Sequence, residues 1–489
     1  MDNRSIMSLN NDNDCMSENE DSKQEMDENN HVVDESLMST TEMVKEMELI
    51  LCFLIRNTGS AQDGTGARKI DDMIFREMID VAIVEHDLPY AFVEYRRVRE
   101  AFQYANPTIK FWCRNIAVAD VLKIFEREKM KLRQVLSEVL GRVCLTTDLW
   151  RAITLKVISV LLLTLDANWN LRAEILSFCA FRPPHSGPAI AMKLMELIKE
   201  WGLCKKVFTI IVDNAFSNDN MQGVLKRQLR KDLVCSGEFF HIRCAAHILN
   251  LIVQDGLAVI SEAFEKIRDN VKYVKPFDQM TKLISGSSYP TSNLYFMEVW
   301  KIQSWLRSNE FYEDEVIGEM VASIKVKFDK YLTDYNDILA IAAMLYPRLK
   351  LKVLEYCYHS LDPASCKSEM DYIGNKMLKL YGVYKKKNTS TQSSQEAYAL
   401  PAGYDVIKYW KDNSNRFKEL SRMVFDVLCI LIKTVSSESS LVKYMSRLLP
   451  SNFQALICAR NWLRGFEVIG FNGDNRRSRE EQEENITEI

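Results

Sequence analysis

The spacing of hydrophobic residues changes twice along this chain of 489 residues. Residues 1–67 are the expected disordered acidic N-terminus: the first 40 or so are rich in Asn, Asp, Glu and Ser, although residues 41–56 favour a helix. In residues 68–140 apolar positions recur every three or four residues, which predicts a helical N-terminal domain. In residues 141–256 β-branched runs alternate with amphipathic stretches, and from residue 257 the helical spacing returns.

Residues 141–256 contain five short β-branched, apolar runs and three amphipathic stretches. Short runs of this composition predict strands, and longer stretches with helical spacing predict helices. The order is β-β-β-α-β-α-β-α, with a hairpin between the second and third strands, and it is the order of a ribonuclease-H-like fold. The predicted strands are 142–147, 156–165, 171–178, 207–212 and 239–242, and the predicted helices are 189–201, 218–231 and 245–254.

The C-terminal half predicts helices and little else. Residues 257–397 form a run of predicted helices that ends in a polar, lysine-containing linker, and residues 398–467 form a compact helical segment. Residues 468–489 are charged, and we expect them to be disordered. The predicted fold class is therefore α/β plus all-α, with a ribonuclease-H-like mixed sheet as its core.

Composition limits the class of protein without naming a ligand. The formal net charge is −4, so nucleic-acid binding would depend on local basic patches. The 12 cysteines are scattered singly, without a CxxC pair, which is typical of reduced thiols in the cytosol or nucleus. The longest unbroken apolar run, Ile338 to Tyr346, is too short to span a bilayer, and we expect no membrane partner.

Two aspartates each follow a predicted strand, Asp148 the first and Asp213 the fourth. In α/β sheets, site residues project from the carboxyl ends of strands, so both are candidate catalytic residues. Carboxylates suit Mg²⁺ or Mn²⁺, and a pair of such ions can activate water in phosphodiester cleavage. The alternative is that both are ordinary strand-end residues that form turns or helix caps. The pattern alone leaves both interpretations open.

Two groups of basic residues are candidate nucleic-acid contacts. One lies on the polar face of a long helix predicted over 116–140, and the other in the last turns of the helix predicted over 218–231. The first face is also typical of a solvated helix surface, and cations at a helix C-terminus also complement its dipole. The candidates are Lys129, Lys131 and Arg133 in the first group and Lys226, Arg227 and Arg230 in the second.

Cys244 and His247 stand at the start of the helix predicted over 245–254, in half of a zinc-ligand pattern. The other half is not within reach, so we interpret the two residues as a structural pair in the core. The sequence contains no complete zinc finger and no Gly-rich phosphate loop.

Several blocks of sequence together resemble the hAT superfamily of transposases, and within it the plant RICESLEEPER type with a BED zinc finger. The resemblance extends from about Ile70 to Phe466. Two of its most specific blocks are CLTTDLW at Cys144–Trp150 and VDNA at Val212–Ala215. The other blocks lie at 86–95, 183–187, 241–256, 285–296, 327–331 and 434–439.

The resemblance implies DNA as a partner, a nuclear location and an acidic triad. The triad of the family corresponds here to Asp148, Asp213 and Glu438, which would bind Mg²⁺ or Mn²⁺. Residues 257–397 would be a helical insertion domain before the glutamate. Residues 398–467 would be the dimerisation region, through which the chain would form a homodimer or a heterodimer.

The sequence departs from the family pattern at three places. Ligands for the BED zinc finger are absent, and a segment with an Arg-Trp-Asn block is missing after Lys275, which would shorten the insertion domain. The residues after Ser440 are also replaced. These departures favour a transposase-derived nuclear protein that binds DNA and dimerises without transposing. The alternatives are an active hAT transposase that uses Mg²⁺, and a dimerising scaffold that binds no DNA.

Overall fold

The computed structural model describes residues 71–151, 156–260, 267–284, 286, 289–309, 315–332, 336–347, 350–385, 405–433 and 448–464. These residues all belong to one compact unit, Ala61–Ile489. The predictions for residues 1–67, for most of the linker before residue 398 and for residues 468–489 lie outside the described residues. Among the described helices, none has both the length and the apolar composition that a membrane span requires.

A five-stranded mixed sheet forms the centre, in the order β3-β2-β1-β4-β5. The first three strands are antiparallel neighbours, and β4 and β5 extend the sheet in parallel on the other side of β1. The predicted order of strands and helices and the predicted hairpin are confirmed. The bounds are β1 (Val143–Arg151), β2 (Lys156–Leu165), β3 (Leu171–Phe181), β4 (Val207–Val212) and β5 (His241–Arg243).

Helices cover both faces of the sheet, which is why β4 is buried at all six positions and shows no polar alternation. On one face lie α4 (Gly187–Glu200) and α5 (Phe216–Leu229), which share a core with Ile210 and Val212 of β4. Ile211 points to the opposite face, into a larger core formed with the C-terminal helices. The two faces of β4 therefore belong to two separate hydrophobic cores.

The larger core is built by a long helical region that follows the sheet. Its first helix contacts the fourth closely, because Gly256 leaves room for Ile324: a Cβ atom on Gly256 would lie 2.5 Å from Ile324 Cγ1. The helices of this region are α6 (Ala245–Ile260), α7 (Ile267–Ile284), α8 (Ser292–Ser308), α9 (Glu315–Leu332), α10 (Asp337–Met344), α11 (Lys350–Leu361), α12 (Cys366–Tyr384), α13 (Val406–Asp412) and α14 (Lys418–Leu428).

The N-terminal domain contains α1 (Asp72–Glu85), α2 (Arg96–Ala105) and α3 (Arg114–Glu138). The prediction that the third helix runs to residue 140 was wrong at its end, where Val135 and Leu140 also depart from the inward position that helical spacing of apolar residues would give them. Both side chains are exposed, and the helix ends at Glu138. The physical reason is a tertiary cap: the Lys206 ammonium donates to the carbonyls of Leu136, Ser137 and Val139 at 2.6–2.8 Å.

The last described helix, α15 (Pro450–Arg464), covers the edge strand β3. Asn461 Oδ1 accepts the backbone N–H of Ile175 at 2.7 Å, and the Trp462 indole N–H donates to the Ile175 carbonyl at 2.9 Å. The Trp462 ring also stacks on Phe125 of α3, with ring centroids 5.2 Å apart. The C-terminal helix thus satisfies an outward-facing backbone pair of an edge strand that would otherwise be open to pairing.

Candidate functional site

The register between β1 and β4 places Asp148 and Asp213 side by side. Thr146 pairs with Ile211 in the parallel ladder, and each aspartate lies two residues further along its chain. Because side chains alternate along a strand, both carboxylates lie on the face of Ile211. Neighbouring strands are about 4.8 Å apart, so the two carboxylates are close neighbours at the carboxyl end of β4.

The prediction that Asp148 ends its strand needs a correction. β1 continues to Arg151 because β2 pairs with it along that whole length, with Asp148 opposite Ser159. On the side of β4, however, the ladder ends at Thr146. Asp148 therefore lies just beyond the last parallel pair, although it lies inside an antiparallel one.

The start of α5 holds Asp213 in a fixed orientation. Its Oδ1 atom accepts the backbone N–H of Ala215 at 3.0 Å and a hydrogen bond from the side-chain amide of Asn218, which is buried in the first turn of α5. The turn role that the sequence left open is therefore present. Both of these bonds go to Oδ1, so they orient the carboxylate without using Oδ2.

Glu438 lies outside the described residues, but the described chain before it, up to Lys433, reaches the carboxyl ends of β4 and β5. The Ile432 carbonyl accepts the N–H of Ala245 at 2.9 Å, and the Ile432 N–H donates to Thr291 Oγ1 at 3.1 Å. The residue before Ala245, Cys244, donates its N–H to the Val212 carbonyl at 2.8 Å. Two backbone hydrogen bonds therefore link Ile432, through Ala245 and Cys244, to the residue before Asp213.

Cys244, the residue directly after β5, continues the row of the two aspartates onto the neighbouring strand. Val212 pairs with Arg243, so Cys244 lies beside Asp213 on the same face. Cys244 is buried and His247 is half-buried. No group of three or more His, Cys, Asp or Glu residues among the described ones could hold a metal ion. Burial lowers the pKa of nearby Lys433 to about 8, and the charge of Cys244 opposes this shift.

The last turns of α9 carry further polar residues near the carboxyl end of β4. Lys327 Nζ lies 2.9 Å from Asp255 Oδ2 of α6, and Tyr331 follows one turn later. Hydrogen bonds from Lys330 and Asn214, together with the charges of Lys330 and Lys327, lower the pKa of Tyr331. Because Asn214 directly follows Asp213, these groups lie beside the acidic pair.

The basic candidates on α3 are mostly paired with acidic residues. Lys129 Nζ lies 2.6 Å from a carboxylate oxygen of Glu200, and Lys131 Nζ lies 2.8 Å from one of Glu128. Arg133 is exposed. Phosphate binding by Lys129 or Lys131 would have to replace an existing ion pair.

The basic candidates on α5 are exposed at the end of the strands opposite to the two aspartates. Lys226, Arg227 and Arg230 form no ion pair with another described residue. The helix starts beside Asp213 and rises about 1.5 Å per residue, so Arg230 lies about 21 Å further along the helix axis. These cations and the acidic pair are therefore separate surfaces.

Three residues near the acidic pair were not predicted as site residues from the sequence: Lys330, Tyr331 and Lys433. Residues 327–331 stand out only as part of the family resemblance, and no sequence pattern distinguishes Lys433. They come from positions more than 100 residues away from Asp213 in the chain. Helical spacing places such residues on a helix but does not show which strand end that helix meets.

Comparison with known families covers most of the described chain. Four family models match consecutive segments: the ZBED1 RNase-like domain at 146–239, the ZBED1 RNase-like helical domain at 242–285, the hAT-like transposase, RNase-H fold, at 293–384, and the hAT family C-terminal dimerisation region at 385–463. The chain belongs to the hAT transposase family. In this hAT protein, the described part of residues 293–384 consists of helices joined by turns, and most of the sheet lies in the segment matched by the ZBED1 RNase-like domain.

Curated relatives carry the names that this family suggests. The zinc finger BED domain-containing protein RICESLEEPER 3 of Oryza sativa subsp. japonica is 24% identical over 520 residues, covering 78% of this chain and 69% of the relative. The putative AC transposase of Zea mays is 24% identical over 530 residues, covering 81% of this chain and 66% of the relative. DAYSLEEPER of Arabidopsis thaliana is 20% identical, covering 79% and 73%.

Proposed function

We propose that this hAT protein is a transposase-derived nuclear protein that binds DNA and self-associates through residues 398–467 without transposing. The observation that carries DNA binding is the group of cations at the ends of α4 and α5. Lys226, Arg227 and Arg230 are exposed there, and Lys199 and Lys205 are exposed at the end of α4 and after it. In a chain of net charge −4, such a local excess of cations suits a phosphate backbone.

Self-association is supported by the match of residues 385–463 to the hAT dimerisation region. The absence of transposition is supported by two departures from the family pattern, the segment missing after Lys275 and the residues replaced after Ser440. A nuclear location is consistent with the relatives, which are named as a transposase or as zinc finger BED domain-containing proteins.

A gel-shift series at increasing salt tests DNA binding. The test variant combines Lys226→Gln, Arg227→Gln and Arg230→Gln. We expect the wild type to bind at about 50 mM salt and to weaken steeply as salt rises, and the triple variant to lose about 2–3 from the slope of log affinity against log salt.

The matched control replaces three lysines that are already in ion pairs. Lys110→Gln, Lys193→Gln and Lys282→Gln remove the same charge from residues that contact Asp72, Glu196 and Asp278. This control should keep the slope of the wild type. A wild type that fails to bind at low salt would reject DNA binding and favour the scaffold alternative.

A second candidate function, metal-dependent strand cleavage, is favoured by the register that sets Asp148 beside Asp213. The two carboxylates fit Mg²⁺ or Mn²⁺, which are commonly held by one or two carboxylates together with substrate phosphate oxygens. Glu438 would be a third ligand. When bound, the ion would polarise a phosphate oxygen and lower the pKa of a bound water. The chain itself supplies the orientation of Asp213 through Ala215 and Asn218.

A strand-cleavage assay with Mg²⁺ or Mn²⁺ tests this second function. Cleavage that disappears in both Asp148→Asn and Asp213→Asn would support it. Equal cleavage by the wild type and by Asp148→Asn would show that the acidic pair has no part in the reaction.

A further inference from the structure

We propose that Lys330, Tyr331 and Asn214 form a phosphate-binding group that positions a nucleic-acid strand beside Asp148 and Asp213. This inference rests on the proposed DNA-binding function and adds a second contact surface to it. The basic residues at the end of α5 lie at the opposite end of the strands and do not reach the acidic pair. A strand held only there would have no contact near the two carboxylates.

Three polar side chains converge next to Asp213. Lys330 and Asn214 are polar neighbours of the Tyr331 side chain, and Lys330 Nζ lies 4.9 Å from the centroid of its ring. The packing of α9 on α6 fixes this position, because Lys327 pairs with Asp255 at 2.9 Å and Tyr331 follows one turn further toward the start of α6. The start of α6 is tied to β4 by the hydrogen bond from Cys244 to Val212. An ammonium, a hydroxyl and an amide are a donor set that suits phosphate oxygens.

Lys330 is the cation that is available for this contact. It is exposed and forms no ion pair with another described residue, whereas Lys327 is already paired with Asp255. Two adjacent carboxylates repel a phosphodiester, so a fixed positive charge beside them lowers the electrostatic cost of its approach. Lys330 supplies that charge from the neighbouring helix.

The geometry favours a phosphate over a stacked base as the group that is bound. The Lys330 ammonium lies 4.9 Å from the centroid of the Tyr331 ring, and the ring is packed against the larger hydrophobic core. A base that stacked on this ring would have to displace one of these contacts. The polar groups around the hydroxyl can contact phosphate oxygens without displacing either.

Fluorescence anisotropy with a labelled DNA oligonucleotide, measured on the full chain over a salt series, tests the proposal. We expect Lys330→Gln to weaken binding about tenfold at low salt and to reduce the salt slope by about 1. Lys330→Arg should retain the slope of the wild type, because it keeps the charge. Tyr331→Phe should weaken binding by about two- to tenfold with no change of slope, since it removes one neutral hydrogen bond.

Lys367→Gln is the matched control, because Lys367 is an exposed lysine at the start of α12, outside the proposed self-association region. It should leave the affinity within about twofold of the wild type, the range expected of a surface change. Thermal unfolding of every variant should match the wild type, which excludes misfolding as the cause. A Lys330→Gln slope equal to that of the wild type overturns this inference alone. A wild type that binds no DNA overturns this inference and the proposed function together.

Discussion

At the scale of single residues, Asp80 of α1 shows what burial does to a carboxylate. Its side chain is fully buried, and neither oxygen has a hydrogen-bond partner in the described part of the chain. Burial, followed by the charge of Asp120, raises its pKa from 3.8 to about 7, although Arg76 opposes the shift. The folded state therefore holds the proton more tightly than the unfolded state. The resulting stabilisation is complete below about pH 4 and is lost as pH rises through about 7.

Asp80→Asn removes this pH dependence, since the amide cannot ionise. We expect the variant to be more stable than the wild type by about 1–3 kcal/mol at pH 8, because the wild type then holds a buried negative charge and the amide stays neutral. The advantage should disappear below pH 4, where the carboxyl of the wild type is neutral in both states. Urea unfolding at the two pH values measures the difference.

Asp120 is the natural control, because it is only partly buried and forms ion pairs with Arg76 and Lys123. Hydrogen bonds from Lys123 and Arg76 outweigh its burial and lower its pKa. Asp120→Asn should therefore destabilise the protein at pH 8, the opposite direction. Stabilisation by both substitutions would show that the charge balance between α1 and α3 has been assigned wrongly.

At the scale of elements, the contact between α6 and α9 depends on a missing side chain. A Cβ atom on Gly256 would meet Ile324 Cγ1 at 2.5 Å, so Gly256→Ala should destabilise the fold by about 1–3 kcal/mol through overpacking. Gly374 in α12 has no atom within 4 Å of the corresponding position. Gly374→Ala should stabilise by about 0.5–1 kcal/mol, because alanine is the better helix former. Chemical denaturation of both variants gives the two signs, and equal signs would contradict the packing described.

The contact between α15 and β3 is the second testable feature at this scale. Asn461→Ala leaves the Ile175 N–H at the strand edge without its partner, and we expect a loss of about 1–3 kcal/mol. Because an uncovered edge strand can pair with another chain, the variant should also aggregate faster on heating. Ser451→Ala on the exposed side of the same helix is the control, and it should change neither property. Thermal unfolding followed by light scattering measures both.

At the scale of the whole molecule, the region matched to dimerisation is also part of the core of the chain. Met423, Val424 and Val427 of α14 are fully buried in the core that covers the sheet. Cys429 Sγ, just after α14, lies 3.2 Å from Cys144 Sγ of β1. The C-terminal helices therefore complete the fold of the same chain, whatever contacts they make with a second one.

A chain truncated after residue 397 should for this reason lose its cooperative unfolding transition instead of giving a folded monomer. A chain truncated after Arg464 keeps every described residue and should unfold like the full chain. Circular dichroism during thermal unfolding distinguishes the two. A cooperative transition in the shorter chain would mean that the sheet and the helices before residue 398 are stable alone.

Local sequence predicts some residues of the candidate site but not how they are arranged. Asp148 and Asp213 are predictable because each follows a β-branched run and because strand ends in α/β sheets carry site residues. Their adjacency was not predictable, because it depends on the register between β1 and β4, and one residue of slip would turn a carboxylate to the other face. The contact of Tyr331 with Asn214 is still less local, since it needs the packing of α9 on α6.

The order of strands and helices, the hairpin and the two candidate aspartates follow from local sequence, because period-two and helical spacing are properties of neighbouring residues. Three other features follow only from the folded chain: the ion pairs of Lys129 and Lys131, the end of α3 at Glu138 beside Lys206, and the position of Lys330 and Tyr331 near the acidic pair. Each of these depends on contacts between distant segments. Such contacts are set by packing of the whole core and leave no periodic trace in the chain.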